Sequence, residues 1–234
     1  MSAAGVSSSA KMVGRDLTKS AICRIGYGRG MTDVVTTLEQ LHQLYSEPVE
    51  AAVRKVTPQL TPLQREYVEA SPFVVLASNG PDGVDCSPRG DGPGFVRFVD
   101  PLHLQMPDRR GNNRLDSLRN IVEDSRVALL FLVPGIGVTL RVNGRAVLRT
   151  DDALRESFAV DGKLPATVIE VEVVEAYIQC PKALIRSKLW ESSEHRGADE
   201  LPTVGQMLTE ITNGAYDGAA YDAAYPERIR QTIY

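Results

Sequence analysis

The sequence predicts a mainly β fold with α-helices, a barrel of short strands carrying helices at both ends. Three observations predict it. Short apolar or alternating runs bounded by Gly, Pro, Asn and Asp crowd the middle of the chain, which is strand punctuation. Strong helical periodicity lies mainly outside that region, with one helix interposed. The strands are not separated by regular crossover helices, which disfavours a doubly wound parallel sheet. The 234 residues, 43% hydrophobic and 24% charged, suit a soluble globular protein of one generous domain or two small ones.

Taken in order, residues 1–31 read as a polar N-terminal tail. MSAAGVSSSAKMVGRD is rich in Ser and Ala and lacks the apolar stretch of a secretory signal. It resembles an organelle-targeting segment weakly and a frayed tail better. Residues 32–70 read as a helical extension. Val35, Leu38, Leu41 and Leu44 recur three apart, Thr32 or Asp33 serves as N-cap, and Pro48 breaks the helix before a second one. LQREYVEAS adds a short helix after Pro58 and Pro62.

Residues 71–190 form the predicted barrel. FVVLAS is a strand, NGPDG a turn, and VDCSPRG the return. FVRFVD and LHLQMP are two more short strands, RVALLFLV a buried one, and TLRVNGRAVLRT one that bends at Asn143-Gly144. DDALRESF is helical. TVIEVEVVEAYIQC alternates in its first half and is a strand, and PKALIRSKLW is a short helix with Pro181 at its first position. In residues 191–234, packed on the same domain, Thr203 to Ile211 is helical, and the tail repeats Ala-Tyr-Asp in AYDGAAYDAAY.

A net charge of −4 gives no reason for nucleic-acid or membrane-surface binding, so an anion site must be a local cluster. No apolar run approaches the roughly 20 residues that span a bilayer. Cys23, Cys86 and Cys180 are widely spaced and, with His42, His103 and His195, form no metal-ligand pattern. Reduced thiols in a cytoplasmic protein are the expectation.

Chemistry concentrates in RRGNNRLDSLRNI, Arg109 to Ile121. On a helix starting near Asn113, at about 100° per residue, Leu115, Leu118, Ile121 and Val122 share one face. Asn113, Ser117 and Asn120 fall within roughly 60° on another side, with Arg114 between. Unpaired N–H groups and the positive dipole end suit a phosphate there, with Gly111 allowing close backbone approach. Asn113 as a plain cap beside solvated arginines fits the same residues. Further basic groups stand in SPRG (Ser87 to Gly90), on TLR, where Thr139 and Arg141 face one side, and on CPKALIRSKLW, where Lys182, Arg186 and Trp190 follow each other at i,i+4.

The order of these pieces resembles the FMN-binding split-barrel superfamily of pyridoxamine 5′-phosphate oxidase-like proteins. GNNRLDSLRNI and CPKALIRSKLW resemble a branch of FMN-dependent proteins of largely unassigned function, and the likeness runs from about Leu60 to Trp190. The resemblance implies a six-stranded antiparallel split barrel that forms a homodimer, with FMN at the subunit interface. By position it implies Arg89 along the ribityl-phosphate and Gln105, Met106 and Pro107 along the isoalloxazine edge. Asn112, Asn113, Arg114 and Ser117 would hold the phosphate, and Thr139 and Arg141 would lie on a flavin-contacting strand. Lys182, Arg186 and Trp190 would approach from the second subunit.

The implied activity is an FMN-dependent oxidoreductase acting by hydride transfer on a small-molecule substrate. No acid–base pair is evident, so no catalytic residue is named, and a flavin carrier, sensor or electron-transfer protein is the alternative. An F420-dependent reductase or a true pyridoxamine phosphate oxidase is a lesser alternative, and haem, which some relatives bind, fits poorly with three histidines, none on a clear ligand helix. The arginine-leucine-histidine segment of true pyridoxamine phosphate oxidases is missing: LWESSEHRGADEL stands in that region, which disfavours vitamin B6 oxidation.

Overall fold

The structure, a computed structural model, describes residues 34–81 and 83–234 and has two compact units, Met1–Glu47 and Pro48–Tyr234. The polar tail 1–31, the N-cap expected at Thr32 or Asp33, and Cys23 lie outside the described residues. In the first unit, helix α1 (Leu38–Leu44) starts at Thr37, which closes a capping box with Gln40. Of the expected stripe, Leu38, Leu41 and Leu44 lie on α1 and Val35 precedes it, and all four side chains are exposed.

The second unit opens with α2 (Glu50–Arg54) and α3 (Pro62–Ala70), the latter with Pro62 in its first turn and a Thr61–Gln64 capping box. Seven strands follow: β1 (Phe73–Gly80), β2 (Gly83–Gly90), β3 (Arg97–Asp100), β4 (His103–Pro107), β5 (Arg126–Leu132), β6 (Thr139–Arg149) and β7 (Val168–Gln179). All pairings are antiparallel, in the order β2-β1-β5-β6-β7-β4-β3. The mainly β class holds. The count is seven, as many as the runs read as strands in the sequence, where the resemblance implies six; FVRFVD makes the four-residue edge strand hairpinned to β4.

The sheet curls round one core. Val74 and Leu76 of β1, Leu129 and Phe131 of β5, Val142 of β6, Val171 of β7 and Leu104 and Met106 of β4 belong to a single buried cluster. Strands near opposite ends of the sheet order therefore face the same interior, and Leu60 and Val68 plug it from the helical side. The alternation along β1 and β5 that places these residues inward is the period-2 pattern of the sequence.

TLRVNGRAVLRT runs through as one strand, and its expected bend is a bulge. Asn143 pairs with Glu175 and Gly144 with Val173, so Val174 is the extra residue. A Cβ on Gly144 would stand 2.3 Å from the Glu172 carbonyl oxygen, so only glycine fits. The helix expected from Asn113 begins three residues later, as α4 (Asp116–Glu123). Asn113 and Leu115 both take left-handed φ (59° and 62°), which ends any helix through them. Helix α4 seats Leu118 and Ile121 on the core but leaves Val122 and Leu115 exposed. Its polar side meets the sheet instead: Asn120 donates to the Ser78 hydroxyl at 3.1 Å.

α5 (Asp152–Ser157), α6 (Lys182–Ser187) and α7 (Val204–Ile211) lie where expected, with Pro181 capping α6 rather than inside it. The Ala-Tyr-Asp tail is a 15-residue helix, α8 (Gly218–Thr232), capped by Asp217 and packed on α7 where Gly205 meets Gly218. Among the described residues no helix is long and apolar enough to cross a membrane.

Gly144→Ala should lower the unfolding free energy by about 2–4 kcal/mol, because the strand must move to admit the methyl. Gly111→Ala, with nothing within 4 Å of the new Cβ, should change it by less than about 1 kcal/mol. Urea denaturation of both variants is the check, and equal losses would contradict it.

Candidate functional site

The outer edge of β2 is not hydrogen-bonded to another strand, and β4 lies near the far end of the sheet order. Side chains join what the ladder leaves apart. At the end of β2, Arg89 donates to Asp108, just past β4, at 2.7 Å. Two residues on, Asp91 accepts from Arg109 at 2.7 Å. The two ion pairs run between the same two chain segments, and all four side chains are at most 20% exposed. Backbone bonds fix both segments just beyond their last rung, Asp91 N–H to Pro72 and Asp108 N–H to the Thr167 carbonyl.

Beside these pairs lies a cleft of about 1020 Å³. Its walls are the 85–90 stretch of β2, the 107–118 segment into α4, the 163–167 loop before β7, and Ile233 with Tyr234 after α8. Arg89, Arg109, Arg110, Arg114 and Lys163 line it against Asp85, Asp108 and Asp116, so cations exceed carboxylates and the cleft favours an anion.

Of the residues singled out in the sequence, Arg89, Pro107, Asn112, Asn113, Arg114 and Ser117 line this cleft. Asn112 accepts from the Arg114 N–H at 3.1 Å, which shapes the turn ahead of α4. Arg114 is exposed and rests on Asp116. Asp116 already supplies the negative charge a helix start favours. The Ser117 hydroxyl donates to Asp85 at 2.8 Å. Gly111 has open space around it, with no close approach in this chain.

The remaining residues lie elsewhere in the single chain. Gln105 donates to Glu170 at 2.7 Å, and Met106 is buried in the core. Thr139 pairs with Gln179, Arg141 donates to the Tyr177 hydroxyl at 3.0 Å, and the Trp190 indole N–H donates to the Ile136 carbonyl at 3.0 Å. Lys182 and Arg186 are exposed on α6.

No motif in the sequence singles out Asp91, Asp108, Thr167 or Tyr234, and a solvated Arg109 fits the sequence equally well. Arg109 is instead 17% exposed, bonded to Asp91 and to the Phe158 carbonyl at 2.7 Å. The signal was the opposite charges in RGD and PDRR, but only the curl of the sheet brings those segments together.

The two half-buried carboxylates are driven in opposite directions. Burial pushes Asp108 above its ordinary value and outweighs the Arg89 guanidinium. Burial also pushes Asp91 up, but hydrogen bonds from the Tyr234 hydroxyl, the Gly92 N–H and Arg109 bring it below the usual range. The raised group binds its proton more tightly folded than unfolded. Its stabilising contribution is complete below the ordinary carboxylate value and is lost as pH rises through its folded value. The lowered group contributes above the ordinary value and loses that as pH falls through its folded value. Denaturation between about pH 3 and 7 should therefore show opposite trends. The parent's advantage over Asp108→Asn should shrink with rising pH, and its advantage over Asp91→Asn should grow. Slopes of the same sign would contradict this assignment.

Among the solved structures that resemble this chain is HupZ from Group A Streptococcus. It is 15% identical, with 50% of this chain and 91% of that one covered and a TM-score of 0.41. A Lactobacillus delbrueckii protein with a proposed pyridoxamine 5′-phosphate oxidase assignment is 25% identical (52% and 95% covered, TM-score 0.40). A Clostridium acetobutylicum protein related to general stress protein 26, of the pyridoxinephosphate oxidase family, is 16% identical (50% and 86% covered, TM-score 0.40). No curated protein sequence matches. The family description "Pyridoxamine 5′-phosphate oxidase" matches residues 60–180, a span holding both ion pairs and most of the cleft. The chain belongs to the pyridoxamine 5′-phosphate oxidase family, within the FMN-binding split-barrel superfamily.

Proposed function

We propose that the cleft takes FMN and that the protein is an FMN-dependent oxidoreductase acting on a small organic substrate. One observation carries the reading. Among the described residues, two buried side-chain polar atoms have no hydrogen-bond partner, Arg89 Nε and Thr167 Oγ1, and both residues line this cleft. Buried polar atoms are nearly always satisfied, so an oxygen-rich ligand suits this place. The cationic excess suits a phosphate of nearly two negative charges.

The donor set fits the cofactor. Arg89, Asn112, Asn113, Arg114 and Ser117 would hold its phosphate side, with Pro107 on the wall beside them. Gln105 and Met106 would act through the β4 backbone. Thr139, Arg141, Lys182, Arg186 and Trp190 would serve the cofactor of a second copy of the chain, in a homodimer with FMN at the interface. FMN, when bound, supplies hydride acceptance and return. The chain's own residues bind, orient and shield. Asp108 keeps the Arg89 fork aimed, and Asp85 and Asp116 hold Ser117 and Arg114.

A second reading, a flavin carrier or electron-transfer protein without turnover, is favoured by a specific feature. Cleft-lining Arg89, Arg109, Arg114, Asp108 and Asp116 are already engaged in ion pairs, and the lining includes no histidine to act as acid or base. The same lining gives a haem no axial imidazole. Reduced protein that reoxidises only at the free-flavin rate, whatever substrate is offered, would favour the carrier.

Purified protein should take up FMN and show a flavin absorption band; no uptake at excess FMN would sink the proposal. Arg89→Lys keeps the charge but loses the planar fork and its Nε–H, and should weaken FMN binding about tenfold or more in a fluorescence titration. An unchanged dissociation constant would remove Arg89 from the site.

A further inference from the structure

The end of helix α8 is attached in an unusual way. Its first turns are tied to α7: Asp222 accepts from the Gly205 N–H at 2.9 Å, and Gly205 and Gly218 are in backbone contact. Beyond them, every residue from 223 to 231 is exposed. Pro226 lies inside this stretch and removes a helical hydrogen bond from it. The far end is then fixed again. The Tyr234 hydroxyl donates to Asp91 at 2.8 Å, and the Arg109 guanidinium lies 5.5 Å from the centre of the Tyr234 ring. Ile233 and Tyr234 are part of the cleft wall.

We propose that the second half of α8 is a strap that brings Ile233 and Tyr234 to the cleft wall, fastened at one point by Tyr234 to the Asp91–Arg109 pair, and that unfastening it gates the entry and release of the ligand. The gating clause rests on the cleft being the flavin site; the fastening does not. The fastener stays in place when the strap lifts. Asp91 keeps its bonds from Gly92 at 2.7 Å and from Arg109, and Arg109 keeps the Phe158 carbonyl. What is lost is one hydrogen bond to a carboxylate and one cation–π contact. That loss biases the strap toward closure by roughly thirty- to thousandfold and still leaves opening accessible. The exposed helix between the two attachments has little else to break.

The test uses the full chain, Tyr234→Phe and Tyr234→Ala. Hydrogen–deuterium exchange reads the strap, and stopped-flow quenching of FMN fluorescence reads the gate. Tyr234→Phe should speed exchange over residues 227–234 about tenfold, Tyr234→Ala more, with exchange in β1 and β5 to β7 unchanged. FMN association and release should both quicken by a similar factor, so that affinity moves less than either rate. Unchanged exchange in both variants would overturn the fastening. Faster exchange with unchanged flavin rates would overturn the gating. If none of the three chains takes up FMN, the cofactor reading and the gate both fall, and the fastening is decided by the exchange alone.

Discussion

Two ion pairs that cross between the ends of β2 and β4 stand where the sheet has no ladder to hold it together. A barrel that closes fully satisfies every strand edge with backbone hydrogen bonds. Here the order begins at β2 and finishes with β4 and the short β3, and the gap is bridged by Arg89 with Asp108 and by Asp91 with Arg109. Pro107, the last residue of β4, pairs with Val168 of β7, and the Asp108 N–H carries that edge on to the Thr167 carbonyl, so it is side chains that reach across to the end of β2. The cleft lies beside the bridged gap, and its charge comes in part from the bridge itself.

Such pairs specify geometry more than they add stability. Removing two charges from water costs nearly what their attraction returns, so a buried pair is weak evidence of net stabilisation. Breaking one is different, because it leaves a lone buried charge. The opposite directions of Asp108 and Asp91 show how finely balanced the two are. Asp108 has one guanidinium against its burial, whereas Asp91 has three donors, one of them Tyr234. The unpartnered Arg89 Nε belongs to the less saturated pair, which is where a ligand oxygen would complete the bonding. The better-saturated pair is where the end of α8 is held.

The strands were legible because their signals are local: alternation in β7, the buried run of β5, and the turn residues between β1 and β2. The start of α4 was misplaced because Asn113 and Leu115 adopt left-handed backbone, which asparagine tolerates but which nothing in Leu115 announces. The polar side of that helix was recognised, yet its partners Asp85 and Ser78 are supplied by the sheet. Helix α8 was passed over because Ala-Tyr-Asp repetition, glycine and Pro226 are poor helix signals, and its packing on α7 decides. Half of the candidate site was legible as basic and amide groups around Asn113. The acidic half was not, because Asp91 and Asp108 become site residues only through the curl of the sheet.

A double-mutant cycle on Arg89→Met and Asp108→Asn, followed by urea denaturation, measures most directly whether the two walls are coupled through this bridge. The geometry predicts that the single losses do not add, leaving an interaction energy of about 1–3 kcal/mol, while the same cycle on exposed Arg114 and Asp116 gives almost none. Additive losses at Arg89 and Asp108, equal to those of the exposed pair, would contradict a structure whose split is held by crossed charges.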